Sequence, residues 1–131
     1  MGAVEARLFA QEGAKVVIGD VLEAEGRKVE ADIRAAGGEA VFVRLDVTNE
    51  ADWQQAVATA ESRFGTLHIL VNNAGVSGHG RVEDTPAEEW DRVMDINAKG
   101  VFLGARRLFP PCAGLVVARS STSRRSLGSW G

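Results

Sequence analysis

Short apolar runs rich in β-branched residues alternate with stretches of helical periodicity along the first hundred residues, and few folds accept that alternation. Lys15-Val16-Val17-Ile18-Gly19, residues 40–45 and Leu67-His68-Ile69-Leu70-Val71 are the apolar runs, and each predicts a buried strand. Val4, Leu8 and Phe9, flanked by Glu5 and Arg7, predict a helix over residues 2–11 that Gly13 stops. Leu22, Val29 and Ile33 predict a second over residues 22–36, ending at Gly37-Gly38, and Trp53, Val57 and Ala60 form the core stripe of a third over residues 50–64, ending at Gly65. After a Gly-rich loop at residues 72–84, Thr85 is expected to cap a helix whose first position is Pro86, with Glu88 closing a capping box. That helix carries Trp90, Val93 and Met94, and a further helix is expected to start near Asn97. Near-continuous apolar strands alternating with helices predict an α/β fold, a parallel sheet covered on both faces, with right-handed crossovers. Ligands of such sheets lie beyond the carboxyl ends of the strands.

The residues after each strand are therefore the candidates for chemistry. Asp20 follows the first strand, where an acid can accept hydrogen bonds from ribose hydroxyls and repel a 2′-phosphate; it also suits a turn before Leu22. Asp46 follows the second, with Val47 beside it. It can receive an adenine amino group while Val47 packs on the ring, or it can cap the next helix ahead of Thr48 and Asn49. Asn72-Asn73-Ala74-Gly75 follows the third. Its small residues let backbone approach a flat ligand, and its two amides can tie neighbouring strands; a plain turn is the alternative. Asn97 lies inside a helical pattern where asparagine competes for backbone bonds, so either a kink exposing a carbonyl or a simple helix break is expected. Glu88 and Glu89 read as a solvated first turn that complements the helix dipole.

Composition excludes several classes. The net charge of −3 is no footprint for nucleic acid or anionic membrane. The single cysteine, Cys112, permits no internal disulfide or Cys-based zinc cage. His68, expected as a packed or half-exposed strand residue, and His79 lack metal-ligand spacing, so no metal is expected. No apolar run approaches the roughly 18–20 residues that cross a bilayer, and no secretion signal opens the chain; a cytoplasmic location is the expectation. Tyrosine is absent from all 131 residues.

Four stretches, in this order, resemble the short-chain dehydrogenase/reductase family: residues 7–17 (Arg-Leu-Phe-Ala-Gln-Glu-Gly-Ala-Lys-Val-Val), Leu45-Asp46-Val47-Thr48, Leu70-Val71-Asn72-Asn73-Ala74-Gly75, and residues 95–102 (Asp-Ile-Asn-Ala-Lys-Gly-Val-Phe). The likeness covers about residues 2–105. It implies a Rossmann-like doubly wound parallel sheet, and hydride transfer between a nicotinamide coenzyme and an alcohol or ketone. On that resemblance Asp20 binds ribose and favours NAD over NADP, Asp46 and Val47 bind adenine, and Asn73, Ala74 and Gly75 line the coenzyme cleft. Asn97 matches the family's catalytic asparagine, which anchors a water in the proton relay to a lysine. Homo-oligomers are implied for an intact member, through helices represented by residues 50–64 and 97–107.

The sequence also departs from the family. A first strand and a Thr-Gly-x-x-x-Gly-x-Gly turn, which receives pyrophosphate at a helix N-terminus, are expected to be missing, with Gly2 as that turn's last glycine. No Tyr-x-x-x-Lys pair is present, so the family's acid/base is lacking, and Ser120-Ser121 lies in no apolar strand of the expected kind. The sheet is therefore expected to be incomplete, with the strand at residues 67–71 deprived of its bridge to the other two. Residues 1–105 form the partial coenzyme-binding domain and carry all 18 acids; residues 106–131 carry five Arg, no Lys and no acid. Read one nucleotide out of register from Pro110, the second part can be written Pro-Ala-Met-Arg-Arg-Ala-Gly-Gly-Gly-Ser-Ile-Val-Asn-Ile-Ser-Ser-Ile-Ser-Gly-Leu-Val-Gly, close to the family's next helix end and serine-bearing strand. A frameshift near Arg106 is the expectation; a disordered Ser/Arg tail binding RNA or a phosphoprotein is the alternative. The competing functional class is a non-catalytic nucleotide-binding fragment or an inert remnant.

Overall fold

A computed structural model describes residues 1–78, 80–108 and 116–119. Helix α1 (Gly2–Gln11) leads into β1 (Lys15–Asp20), α2 (Glu23–Ala35), β2 (Glu39–Arg44), α3 (Glu50–Phe64) and β3 (Ile69–Asn72). A 3-10 turn (Val82–Asp84) precedes α4 (Ala87–Met94), a π turn (Asp95–Lys99) joins α4 to α5 (Gly100–Leu108), and β4 (Val116–Arg119) follows. Gly13 and Gly65 stop α1 and α3 with φ of 88° and 86°, a left-handed conformation that costs glycine nothing and other residues strain.

All strand pairs are parallel, but they form two ladders. β1 pairs with β2 from Lys15 opposite Glu39 to Asp20 opposite Arg44, and β3 pairs with β4 from Ile69 opposite Val116 to Asn72 opposite Arg119. No backbone pairing joins β1 to β3 among the described residues. This is the incomplete Rossmann-like sheet expected from the sequence, with no strand before α1 among the described residues. Strand β4 was not anticipated: it falls in the basic segment, beyond the expected end of the family pattern.

Two apolar clusters explain why the strands are apolar throughout. Ala6, Val29, Ile33 and Ala40 bury α1 and α2 against one face, with Val16 and Ile18 of β1 packed on them. On the other, Leu45, Trp53, Ala56, Leu70 and Leu103 bring the end of β2, α3, β3 and α5 together, with Val43 and Val57 alongside. The second cluster is what holds the two ladders in one body.

Local differences from expectation have identifiable causes. Asp20 and Asn72 are the last residues of their strands rather than the first beyond them. Pro86, not Thr85, is the N-cap of α4, and no side chain caps it; the Thr85 hydroxyl instead donates to Arg81 O at 2.8 Å, closing the preceding turn. No break occurs at Asn97: α4 runs through the π turn into α5, because one inserted residue widens the helix without ending it. His68 is exposed and precedes β3. The strand starts one residue later, so the alternation buries Leu70 and leaves Ile69 outside. His79 lies outside the described residues.

Candidate functional site

The carboxyl ends of β1, β2 and β3 carry the predicted residues. Asp20 is exposed, and its Oδ1 accepts the Leu22 N–H at 3.0 Å. Its other carboxylate oxygen has no protein partner among the described residues, so the turn role and a ligand role coexist. Beyond β2, Asp46 folds the chain into a tight turn. Its Oδ1 accepts both the Thr48 N–H at 2.9 Å and the Thr48 hydroxyl at 2.7 Å, and its carbonyl accepts the Asn49 N–H at 2.9 Å. These donors, the Thr48 hydroxyl first, hold the Asp46 carboxyl below the usual aspartate value, with smaller help from Arg44 and Lys99 against the cost of burial. The cap of α3 belongs to Asn49, whose Oδ1 accepts the Ala51 N–H at 2.9 Å, which leaves the second oxygen of Asp46 uncommitted.

Behind this turn stands a brace that sequence reasoning missed. The Asp46 N–H donates to Asp52 Oδ2 at 2.9 Å, and Arg44 reaches the same oxygen at 3.1 Å. The Trp53 indole N–H donates to Val47 O at 3.0 Å. The Val47 side chain lies against Gly100, where an added Cβ would come within 2.8 Å of it. The spacing of an acid and a tryptophan six residues after Asp46 and Val47 was the available signal; Trp53 registered only as a core residue.

After β3, Asn73 is half-buried with its amide against Gly2, while Ala74 and Gly75 are exposed. Neither Asn72 nor Asn73 makes a side-chain hydrogen bond among the described residues, so no strand tie is formed. The ladders they would join stand apart. Asn97 projects from the π turn and grips the loop instead. Its Oδ1 accepts the Val76 N–H at 2.8 Å, and its Nδ2 donates to Val76 O at 2.7 Å. An open cleft of about 490 Å³ separates Asp46 and Thr48 from Glu88, Asp91, Arg92, Asp95 and Ile96. The described residues contain no cluster of three metal-ligating side chains, and no helix among them is long and apolar enough to cross a membrane.

A family model described as enoyl-(acyl carrier protein) reductase matches residues 1–127. The chain belongs to the short-chain dehydrogenase/reductase family. Among its relatives, a 3-alpha-(or 20-beta)-hydroxysteroid dehydrogenase of Mycobacterium tuberculosis is 50% identical over 111 residues, covering 85% of this chain and 42% of that protein. A cyclopentanol dehydrogenase of Comamonas testosteroni is 46% identical, covering 85% of this chain and 44% of the relative. A short-chain dehydrogenase/reductase from Burkholderia phymatum, solved in complex with NAD, superposes with a TM-score of 0.75 at 37% identity, covering 80% of this chain and 38% of its own. The chain thus spans less than half the length of the relatives it matches. The family match extends past Arg106 to residue 127, farther than the motifs alone carried the likeness.

The residues present fit a nicotinamide dinucleotide. An exposed carboxylate at the end of β1, an uncommitted carboxylate oxygen at Asp46 and the small, exposed residues Ala74 and Gly75 all stand at the carboxyl ends of parallel strands, where this fold binds dinucleotides.

Proposed function

We propose that this chain is the coenzyme-binding part of an NAD-dependent dehydrogenase acting on an alcohol or ketone. The observation that carries the proposal is the convergence of Asp20, the braced Asp46-Val47 turn and the Asn97-clamped loop at one end of the parallel strands. When bound, the coenzyme supplies the hydride acceptor or donor. Asp20 would hold the adenosine ribose, Asp46 and Val47 the adenine, and Asn73, Ala74 and Gly75 the floor of the cleft. Asn97 fixes that floor through Val76. The hydroxysteroid and cyclopentanol dehydrogenases above suggest a cyclic secondary alcohol as the substrate class. Adding NAD to methyl-labelled chain should perturb the methyl resonances of Val47 and Ala74 before those of Val29 and Ile33. Equal or absent perturbation would remove the assignment.

A second reading has its own support. These 131 residues contain no tyrosine, and general acid/base catalysis is worth about 10²–10⁴-fold. On this reading the chain binds a nucleotide without catalysing hydride transfer. NADH-linked turnover by the purified chain should be undetectable, and turnover abolished by Asn97→Ala would reverse that. Residues 106–131 belong to this second reading as a segment read one nucleotide out of register. β4 occupies a strand place beside β3, and the shifted frame puts an apolar, serine-bearing strand only a few residues later. Resequencing the DNA across Arg106 decides it, because an intact frame encoding this tail excludes the shift.

A further inference from the structure

Trp53 is 6% exposed, yet its contacts exceed those of a core filler. Its ring lies against α5 at Gly104, where an added Cβ would meet the ring at 2.7 Å. Its one polar atom leaves the core and donates to Val47 O at 3.0 Å. Val47 is also in contact with Gly100, four residues before Gly104 on α5. The loop residue and the indole thus sit on successive turns of one helix, each in the space left by a glycine. That helix continues from the π turn that carries Asn97.

We infer that Trp53 is a positioning residue for the adenine end of the cleft: its indole N–H fixes the Val47 carbonyl, and with it the turn that presents the Asp46 carboxylate. This rests on the coenzyme assignment made above. The physical basis is that, among the described residues, the other hydrogen bonds of the Asp46-Val47-Thr48 turn lie within the turn itself or run to Asp52, while the Val47 side chain only packs, against Gly100 and the apolar cluster. A buried donor locked in the core gives the turn an anchor that does not move with the surface. A binding group held before the ligand arrives loses less conformational freedom on binding.

Trp53→Phe in the full chain deletes the N–H and keeps an aromatic ring in the core. Two readouts separate positioning from packing. In the unliganded chain, amide exchange at Thr48 and Asn49 should accelerate about fivefold, the scale of one neutral hydrogen bond, while amides of β2 and α5 keep their rates. Affinity for adenosine 5′-monophosphate should fall by a similar factor, and affinity for nicotinamide mononucleotide should not change. Uniform acceleration across the turn, β2 and α5 would reduce Trp53 to packing and overturn the inference, as would unchanged AMP affinity. Failure of the unsubstituted chain to bind AMP would instead remove the coenzyme assignment itself. Should Trp53→Phe not fold, the unsubstituted chain still discriminates. The Trp53 indole N–H should be protected from exchange, and more so with AMP; a freely exchanging indole N–H contradicts the inference.

Discussion

Single side chains hold the candidate site together, and two of them make sharp predictions. Asn97 both accepts from and donates to the backbone of Val76, at 2.8 Å and 2.7 Å. An aspartate there keeps the size and the acceptor but turns its second oxygen toward a carbonyl. Asn97→Asp should therefore cost about 1–3 kcal/mol, the range for leaving a polar group unsatisfied, read from urea unfolding near neutral pH. A loss below a few tenths would show that the clamp carries no weight. Asp46 makes a prediction in pH. Its carboxyl is held below the ordinary aspartate value, chiefly by the Thr48 hydroxyl. Above the ordinary value Asp46 is ionised in both folded and unfolded chains, and its turn contributes fully. As pH falls through the depressed folded value, protonation removes that contribution. Thr48→Val deletes the leading donor, so the titration of the Asp46 side-chain carboxyl carbon in the folded chain should move up toward the ordinary value. An unmoved titration would mean that the hydroxyl is not the cause.

Between elements, close packing leaves little slack. Gly26 on α2 lies over Phe42 of β2, and a Cβ there would stand 2.1 Å from the ring. Alanine gains about 1 kcal/mol of helix propensity over glycine, but overpacking typically costs about 1–3 kcal/mol. Gly26→Ala should therefore destabilise the chain, and Phe42→Leu in that background should recover part of the loss; a stabilised Gly26→Ala would show that the ring swings aside freely. Much of this layer was legible from sequence. Gly2–Gln11 and Glu50–Phe64 fall on their predicted bounds because periodicity and a following glycine mark both. The position of the Asn72-Asn73-Ala74-Gly75 motif and of both acids at the carboxyl ends of strands was legible because each comes at the end of an apolar run. Other features were not legible, because they depend on partners distant in sequence or on competing local bonds. The Thr85 hydroxyl had a nearby carbonyl to satisfy, which no capping pattern reveals. The π turn is set by backbone bonds over Asp95–Lys99, which the side-chain pattern around Asn97 does not announce. Trp53 looked like core because its indole bond to Val47 leaves no mark on helical periodicity.

At the scale of the molecule, the two unbridged ladders set the stability. β1–β2 is covered by α1 and α2, whereas β3 shares its cluster with α3 and α5. Val4 and Leu8 on α1 remain 60% and 55% exposed, an apolar face with no strand against it among the described residues. Open strand edges also invite pairing with other chains. Hydrogen exchange should therefore show β3 opening at lower free energy than β2, because no ladder among the described residues couples the two. Coincident protection and one sharp transition would contradict that. Asp20 links this architecture to function, since it stands exposed at the end of β1 with one oxygen uncommitted. Calorimetric titration of the chain with NAD and NADP tests the central claim most directly. NAD should bind more tightly than NADP, and Asp20→Ala should narrow the gap by weakening NAD and relieving the repulsion of the 2′-phosphate. Equal affinity for the two coenzymes in the unsubstituted chain, or no binding of either, would contradict the account.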